Sequence, residues 1–243
     1  MQYINKIKMG QQLKAIFPTV IESATKFSNV QIILSLLLAS LAGVKRAVRI
    51  SNFTTDPLVK NILNLSKHIN KDVIAQRLKQ LGQTGAIVFQ EYTFEKLREW
   101  LKESKLRKIT IDCDSTVQTV YGNQQGAAKG YNPVKKGAKS YHSLLAFISE
   151  IKIIVKNRFR TGSAYTSNGI VSFIKQTAAV LPEDIKEVIF RADSGFFNGE
   201  LFDVLEELQW SYLIKVKLKN LNKLLDGQQW ESLTWTSQNQ KGE

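Results

Sequence analysis

Apolar positions change their period near residue 105. Before it they recur at intervals of three and four. Leu34, Leu37, Leu38 and Leu41 fall on one side of a helix within "FSNVQIILSLLLASLAGV", residues 27–44. In "DPLVKNILNL" Asp56 is a cap and Pro57 stands at the first helical position. "NKDVIAQRLKQLG" offers Asn70 as a cap, Val73, Ile74, Leu78 and Leu81 on one face, and Gly82 just past the end. After residue 105 the period becomes two. "LRKITIDCDSTV" alternates and is rich in β-branched residues, and "SYHSLLAFISEIKIIVKNRF" reads as two adjacent strands.

The remaining elements follow in turn. Ser167 or Asn168 caps a helix through "GIVSFIKQTAAVL", stopped by Pro182. "EVIFRAD" is a strand, "NGELFDVLEELQ" a helix and "SYLIKVKL" a last strand. Three strands, helix, strand, helix, strand is the order of a ribonuclease H-like α/β fold, a mixed sheet with flanking helices, in which carboxylates sit on the first and fourth strands. The predicted division is a mainly helical region over 1–104 and an α/β domain over 105–243.

Charge adds a partner. Lys and Arg number 34 against 21 Asp and Glu, a formal net charge of +13. A field of that sign favours polyanions, nucleic acid above all. The two helices joined by "SKHIN" read either as a helix-turn-helix, presenting Lys71, Gln76, Arg77 and Lys79 to DNA, or as a plain helical hairpin. One cysteine, Cys113, excludes an intramolecular disulfide and points to a reducing, cytoplasmic setting. With only His68 and His142 beside it, a zinc site lacks soft ligands, and both histidines read as packing or hydrogen-bonding residues. The apolar stretch 27–44 is diluted by Ser28, Asn29, Gln31, Ser35 and Ser40, so it reads as a buried helix and no membrane span is expected.

The candidate chemistry lies in carboxylates. Alternation in "TIDCDST" puts Ile109, Ile111 and Cys113 on one face and Thr110, Asp112 and Asp114 on the other. Acids in the middle of a strand fit for burial are costly unless they meet a cation or donors. Asp193 closes the fourth strand, 79 residues after Asp114 (193 − 114). Converging hard oxygens without histidine or cysteine suit Mg2+ or Mn2+. The plainer readings are that Asp193 caps a turn and that Asp112 or Asp114 pairs with a lysine. A basic stretch lies between the acids. From Lys129 to Arg160 stand eight basic residues (Lys129, Lys135, Lys136, Lys139, Lys152, Lys156, Arg158, Arg160) and one acid, Glu150, among glycines and tyrosines. That composition suits a phosphate backbone.

"DCDSTVQTVYGNQQGAAKGYNPVKKGAKSYHSLLAF" followed by "RADSGFF" resembles the catalytic domain of bacterial insertion-sequence transposases of the DDE class, in the group numbered 1380. The resemblance covers roughly residues 30–220. It implies endonuclease and strand-transfer activity at terminal inverted repeats, two Mg2+ or Mn2+ ions in the complete enzyme, and DNA partners comprising the repeats and the target. It also implies a homodimer in the synaptic complex and a nucleoid-associated location. Asp193 matches the second acid. Asp114, directly before Ser-Thr, is the favoured first acid and Asp112 the alternative. A third acid, a glutamate in a Tyr-x-x-Arg-x-x-x-Glu setting, is expected beyond Asp193. Glu200, Asp203, Glu206, Glu207, Asp226, Glu231 and Glu243 all lack that setting. The expectation is therefore a C-terminally incomplete, inactive transposase. Its alternative is an inert DNA-binding fragment that represses the full-length enzyme.

Overall fold

The structure is a computed structural model and describes residues 4, 6–17, 27–44, 46–216 and 219–229. The chain divides into two compact units, Met1–Leu97 and Arg98–Glu243.

The first unit is helical: α1 (Met9–Ile16), α2 (Asn29–Leu41), α3 (Ala47–Phe53), α4 (Pro57–Ile62) and the start of α5 (Lys71–Ser104). Its starts are written in the sequence. Ser28 and Gln31 form a reciprocal capping box on α2, and Asp56 Oδ1 accepts from the backbone N–H groups of Leu58 and Val59 at 2.7 and 3.3 Å. Asn70 Oδ1 accepts from the Asp72 N–H at 2.9 Å. Leu13, Ile32, Ile69 and Ile74 are at most 1% exposed and centre the core. Leu41, expected on the apolar face of its helix, is 75% exposed instead, because Ile32, Leu34, Ser35 and Ala39 form the buried side. Gly82 does end a helical run, since its φ of 52° and ψ of −151° break the helix, yet hydrogen bonding resumes and carries α5 on to Ser104. Among the described residues no helix is long and apolar enough to cross a membrane.

The second unit follows the predicted order. It runs β1 (Lys108–Thr119), a short β2 (Ala128–Lys129), β3 (Lys139–Ile148), β4 (Ile153–Arg158), α6 (Ile170–Ala178), β5 (Glu187–Ala192), a 3-10 turn (Ser194–Phe196), α7 (Gly199–Glu207), β6 (Ser211–Ile214) and α8 (Leu221–Leu225). The long strands lie in the order β4-β3-β1-β5-β6, with β3 antiparallel to β1 and β4, and β5 parallel to β1 and β6. This is the ribonuclease H-like mixed sheet. Alternation holds in β1, where Ile109, Ile111 and Cys113 are buried and the residues between them are not. Leu144, Ala146, Ile148 and Phe190 extend that buried layer, and α6 and α7, which touch each other, bury Phe173, Ile174, Leu201 and Leu205. Each of these leucine, isoleucine and phenylalanine side chains contributes about 1.5–3 kcal/mol of burial.

Two expectations change. The cap of α6 is Gly169 at φ 71°, not Ser167 or Asn168, and no side chain caps that helix. The last strand ends at Ile214, and residues 217–218 of "SYLIKVKL" lie outside the described residues.

Candidate active site

β1 and β5 are paired in parallel with Cys113 opposite Ala192, so Asp114 and Asp193, the next residue of each, stand side by side at the C-terminal ends of neighbouring strands. Such strands run about 4.8 Å apart. Both acids are exposed. Asp114 Oδ1 accepts from the Ser115 N–H at 2.7 Å, and Asp193 Oδ1 accepts from the Gly195 N–H at 2.9 Å. The second oxygen of each has no protein donor among the described residues. Asp193 thus caps the 3-10 turn and still keeps an oxygen for another partner, so the cap and metal readings are compatible.

Asp112 shares the face of Asp114 but not its surroundings. Its register partner is Arg191, which donates from Nε and Nη2 at 2.6 and 2.8 Å, and the Ser149 hydroxyl donates to the same carboxylate. The bond from Arg191 holds the Asp112 carboxyl below the usual range against the opposing effect of burial, and Asp112 raises the Arg191 guanidinium in return.

An open groove of about 520 Å³ runs past this strand end, with Asp193, Arg191, Leu213 and Lys215 on its walls. Lys215 escaped the sequence reading. It follows Ile214, the register partner of Ala192, so Asp114, Asp193 and Lys215 cap three successive strands. Two hard carboxylates with free oxygens fit a divalent cation. Among the described residues, however, no three His, Cys, Asp or Glu side chains gather at metal-binding spacing. Glu231 and Glu243 lie outside the described residues.

The sequence matches the model of one protein family, transposase DDE domain group 1, over residues 2–242. The chain belongs to that family. Among solved structures it is similar to Mos1 transposase in a paired-end complex with the left transposon end (11% identity, 91% of this chain and 78% of that one, TM-score 0.33). It is also similar to the catalytic domain of Mos1 mariner transposase (16% identity, 59% and 72% covered, TM-score 0.32). A third similarity is to piggyBac transposase in a synaptic complex with hairpin DNA (14% identity, TM-score 0.43), where 93% of this chain spans about half, 51%, of that one. No curated protein sequence matches the chain.

The predicted DNA-contact residues of this family member separate into two kinds. Lys71, Lys79, Lys129, Lys135 and Lys136 are exposed. Lys135 lies 5.0 Å over the exposed Tyr121 ring, and the half-buried Lys139 donates to Asn123 Oδ1 at 2.8 Å. The arginines hold the fold together. Arg77 donates to Asn29 Oδ1 and the Phe27 carbonyl at 3.0 and 3.3 Å. Arg158 donates to the Gly169 carbonyl, Ser172 Oγ and Gln176 Oε1 at 2.7, 3.0 and 3.1 Å. Arg160 is engaged by backbone carbonyls, and burial lowers the affinity of both Arg158 and Arg160 for their protons. His142, read as a hydrogen-bonding residue, is buried with both ring nitrogens in hydrogen-bond contact, Nδ1 to the Ala164 carbonyl at 2.7 Å and Nε2 to Ser115 Oγ at 3.0 Å.

Proposed function

We propose that this chain is a transposase of the insertion-sequence group numbered 1380, built for metal-dependent DNA cleavage and strand transfer at terminal inverted repeats, with Asp114 and Asp193 as metal ligands. The adjacency of these two acids, each with a free oxygen, supports the reading most directly. Asp112 is set aside because Arg191 and Ser149 occupy its carboxylate. Asp114 and Asp193 would hold Mg2+ or Mn2+, which supplies charge stabilisation to the attacking and leaving oxygens of a phosphodiester.

The protein's own part is placement. The Ser115 and Gly195 N–H groups fix one oxygen of each acid. Exposed Lys129, Lys135 and Lys136 offer cations to the phosphate backbone of the element end, and Lys71 and Lys79 of the helical 1–104 region offer them to repeat DNA. In the first step water adds to phosphorus and the 3′-oxygen leaves as a hydroxyl. In the second, that hydroxyl attacks a target phosphodiester and displaces a target 3′-hydroxyl. A homodimer in the nucleoid would pair two ends.

A second reading is favoured by one observation, that no third metal-binding side chain joins the acids among the described residues. On that reading the polypeptide binds repeat DNA without cutting and represses an active enzyme. One experiment separates the two. The protein expressed from its genomic reading frame is assayed on repeat-end and scrambled DNA at fixed salt, with and without Mg2+ or Mn2+. Metal-dependent cleavage lost in Asp114→Ala and Asp193→Ala supports the first reading. Repeat-specific binding without cleavage supports the second, and equal affinity for both DNAs rejects specific recognition.

A further inference from the structure

Residues 159–169 form a strap from β4 to α6 that touches the surroundings of both acids. Arg160 organises it from within. Its Nη1 donates to the carbonyls of Tyr165, Thr166 and Asn168 at 3.1, 3.1 and 2.9 Å, and its Nε donates to the His142 carbonyl at 3.0 Å. Gly162 fits the strap against the sheet, since a Cβ there would overlap the carbonyl oxygens of Ser140 and Ala128.

The strap then reaches Asp114 and Asp193 through their neighbours. A carbonyl only accepts, so His142 Nδ1 carries the hydrogen bonded to Ala164, and Nε2 is left to meet the Ser115 hydroxyl at 3.0 Å. Ser115 directly follows Asp114 and supplies its backbone N–H. Thr166 Oγ1 lies 3.5 Å from Ser115 Oγ, while its Cγ2 would sit 3.1 Å from a Cβ on Gly195, the residue whose N–H holds Asp193. Thr166 therefore bridges the supports of the two acids.

The chemistry of the fixing argues for placement over stability. Arg160 spends a half-buried cation on neutral backbone acceptors, and its Nη2 is buried with no hydrogen-bond partner among the described residues. Desolvating a cation without a carboxylate is a costly way to hold a loop.

We infer that His142, seated by the strap that Arg160 organises, is a positioning residue, which acts through Ser115 to set the place of Asp114 beside Asp193. The inference rests on the reading of those two acids as metal ligands. Supports of this kind change metal affinity without touching the ion.

The test is Mn2+ binding, followed by loss of the free-ion electron paramagnetic resonance signal, with thermal melts by circular dichroism as the folding control. The variants are Asp114→Ala/Asp193→Ala, His142→Leu, Ser115→Ala, the His142→Leu/Ser115→Ala pair and His142→Gln. His142→Leu and Ser115→Ala should each weaken Mn2+ binding by about tenfold or more while the chain stays folded. The pair should bind no more weakly than the worse single variant, because both cut one link. His142→Gln, whose amide reaches the Nε2 position, should recover most of the affinity. If His142→Leu fails to fold, Ser115→Ala removes the same bond from the other end. Wild-type affinity in His142→Leu and Ser115→Ala, with binding lost in the double-acid variant, overturns the inference and leaves the metal site standing. Unchanged binding in the double-acid variant, or none at millimolar Mn2+ in the wild type, overturns the metal reading and the inference with it.

Discussion

Asp112 and Arg191 face each other across paired strands and meet at two points, 2.6 and 2.8 Å apart. The Asp112 carboxyl is held below its ordinary range, so its stabilising effect is present above the unfolded value, about 3.9, and is lost as pH falls through the folded one. The side chains are 39% and 47% exposed, so solvent screening keeps the pair near about 1 kcal/mol. Asp112→Asn should lower the unfolding free energy by that amount at neutral pH in urea titrations. The gap to wild type should begin to narrow below about pH 4 and close as pH falls through the lower folded value. A gap that persists unchanged in acid would show that something other than this ion pair is lost.

The same pair predicts a split between two acids on one strand face. Asp112→Asn should leave Mn2+ binding within a few-fold of wild type, because its oxygens are already taken. Asp114→Asn should lose it. Calorimetric Mn2+ titration of the two variants decides, and the reverse pattern would move the first ligand to Asp112.

The sheet was legible in the sequence because the period-two run of β1 and the order of later elements leave one arrangement that buries Ile109, Ile111 and Phe190 together. The choice between Asp112 and Asp114 was not legible. Alternation puts both on one face, and only the β1–β5 register shows that Arg191 meets the first of them. The partners of the arginines were hidden for a related reason. Charge counts carry no record of the acceptor, and Arg160 spends its guanidinium on carbonyls contributed by a loop of ordinary composition. Lys215 was hidden because the β6 register, not its spacing from Asp193, brings it to the groove.

Gly130 and Gly162 predict a packing defect with a backbone cause. A Cβ on Gly130 would overlap the Gly162 carbonyl oxygen, and one on Gly162 would overlap the carbonyls of Ala128 and Ser140. Neither clash is with a movable side-chain end. Gly162→Ala and Gly130→Ala should each destabilise the fold by about 1–3 kcal/mol, measured by chemical denaturation. Gly137 has open space at its Cβ but a φ of 77°, so its alanine variant should suffer only the backbone strain, about 1 kcal/mol.

DNA affinity should divide the basic residues as the structure does. Lys135→Ala and Lys136→Ala should each weaken binding across all sequences and flatten the log affinity against log salt slope by about one unit or less. Arg77→Ala should instead lower the melting temperature, because it removes the bonds to Asn29 Oδ1 and the Phe27 carbonyl, with little change in slope. Fluorescence anisotropy at several salt concentrations, beside melts of the same proteins, separates these effects. A salt slope changed by Arg77→Ala at unchanged melting temperature would return that residue to the DNA interface.

On the reading in which the chain binds repeat DNA without cutting it, the 243-residue chain should show no metal-dependent turnover on repeat-end DNA. Asp114 and Asp193 each bring one free oxygen, and among the described residues no third metal-binding side chain joins them. Stabilising both the attacking and the leaving oxygen takes two ions, and two carboxylates leave the second under-coordinated. Losing charge stabilisation at either oxygen raises the barrier by several kcal/mol, which puts turnover below ordinary gel detection. The assay is Mg2+- and Mn2+-dependent nicking of end-labelled repeat DNA, with Asp193→Ala as the blank. Turnover that the blank abolishes would show that the chain completes its own site. Glu231→Gln and Glu243→Gln, the two acids beyond Asp193 that lie outside the described residues, would then identify the missing ligand by which of them stops the reaction.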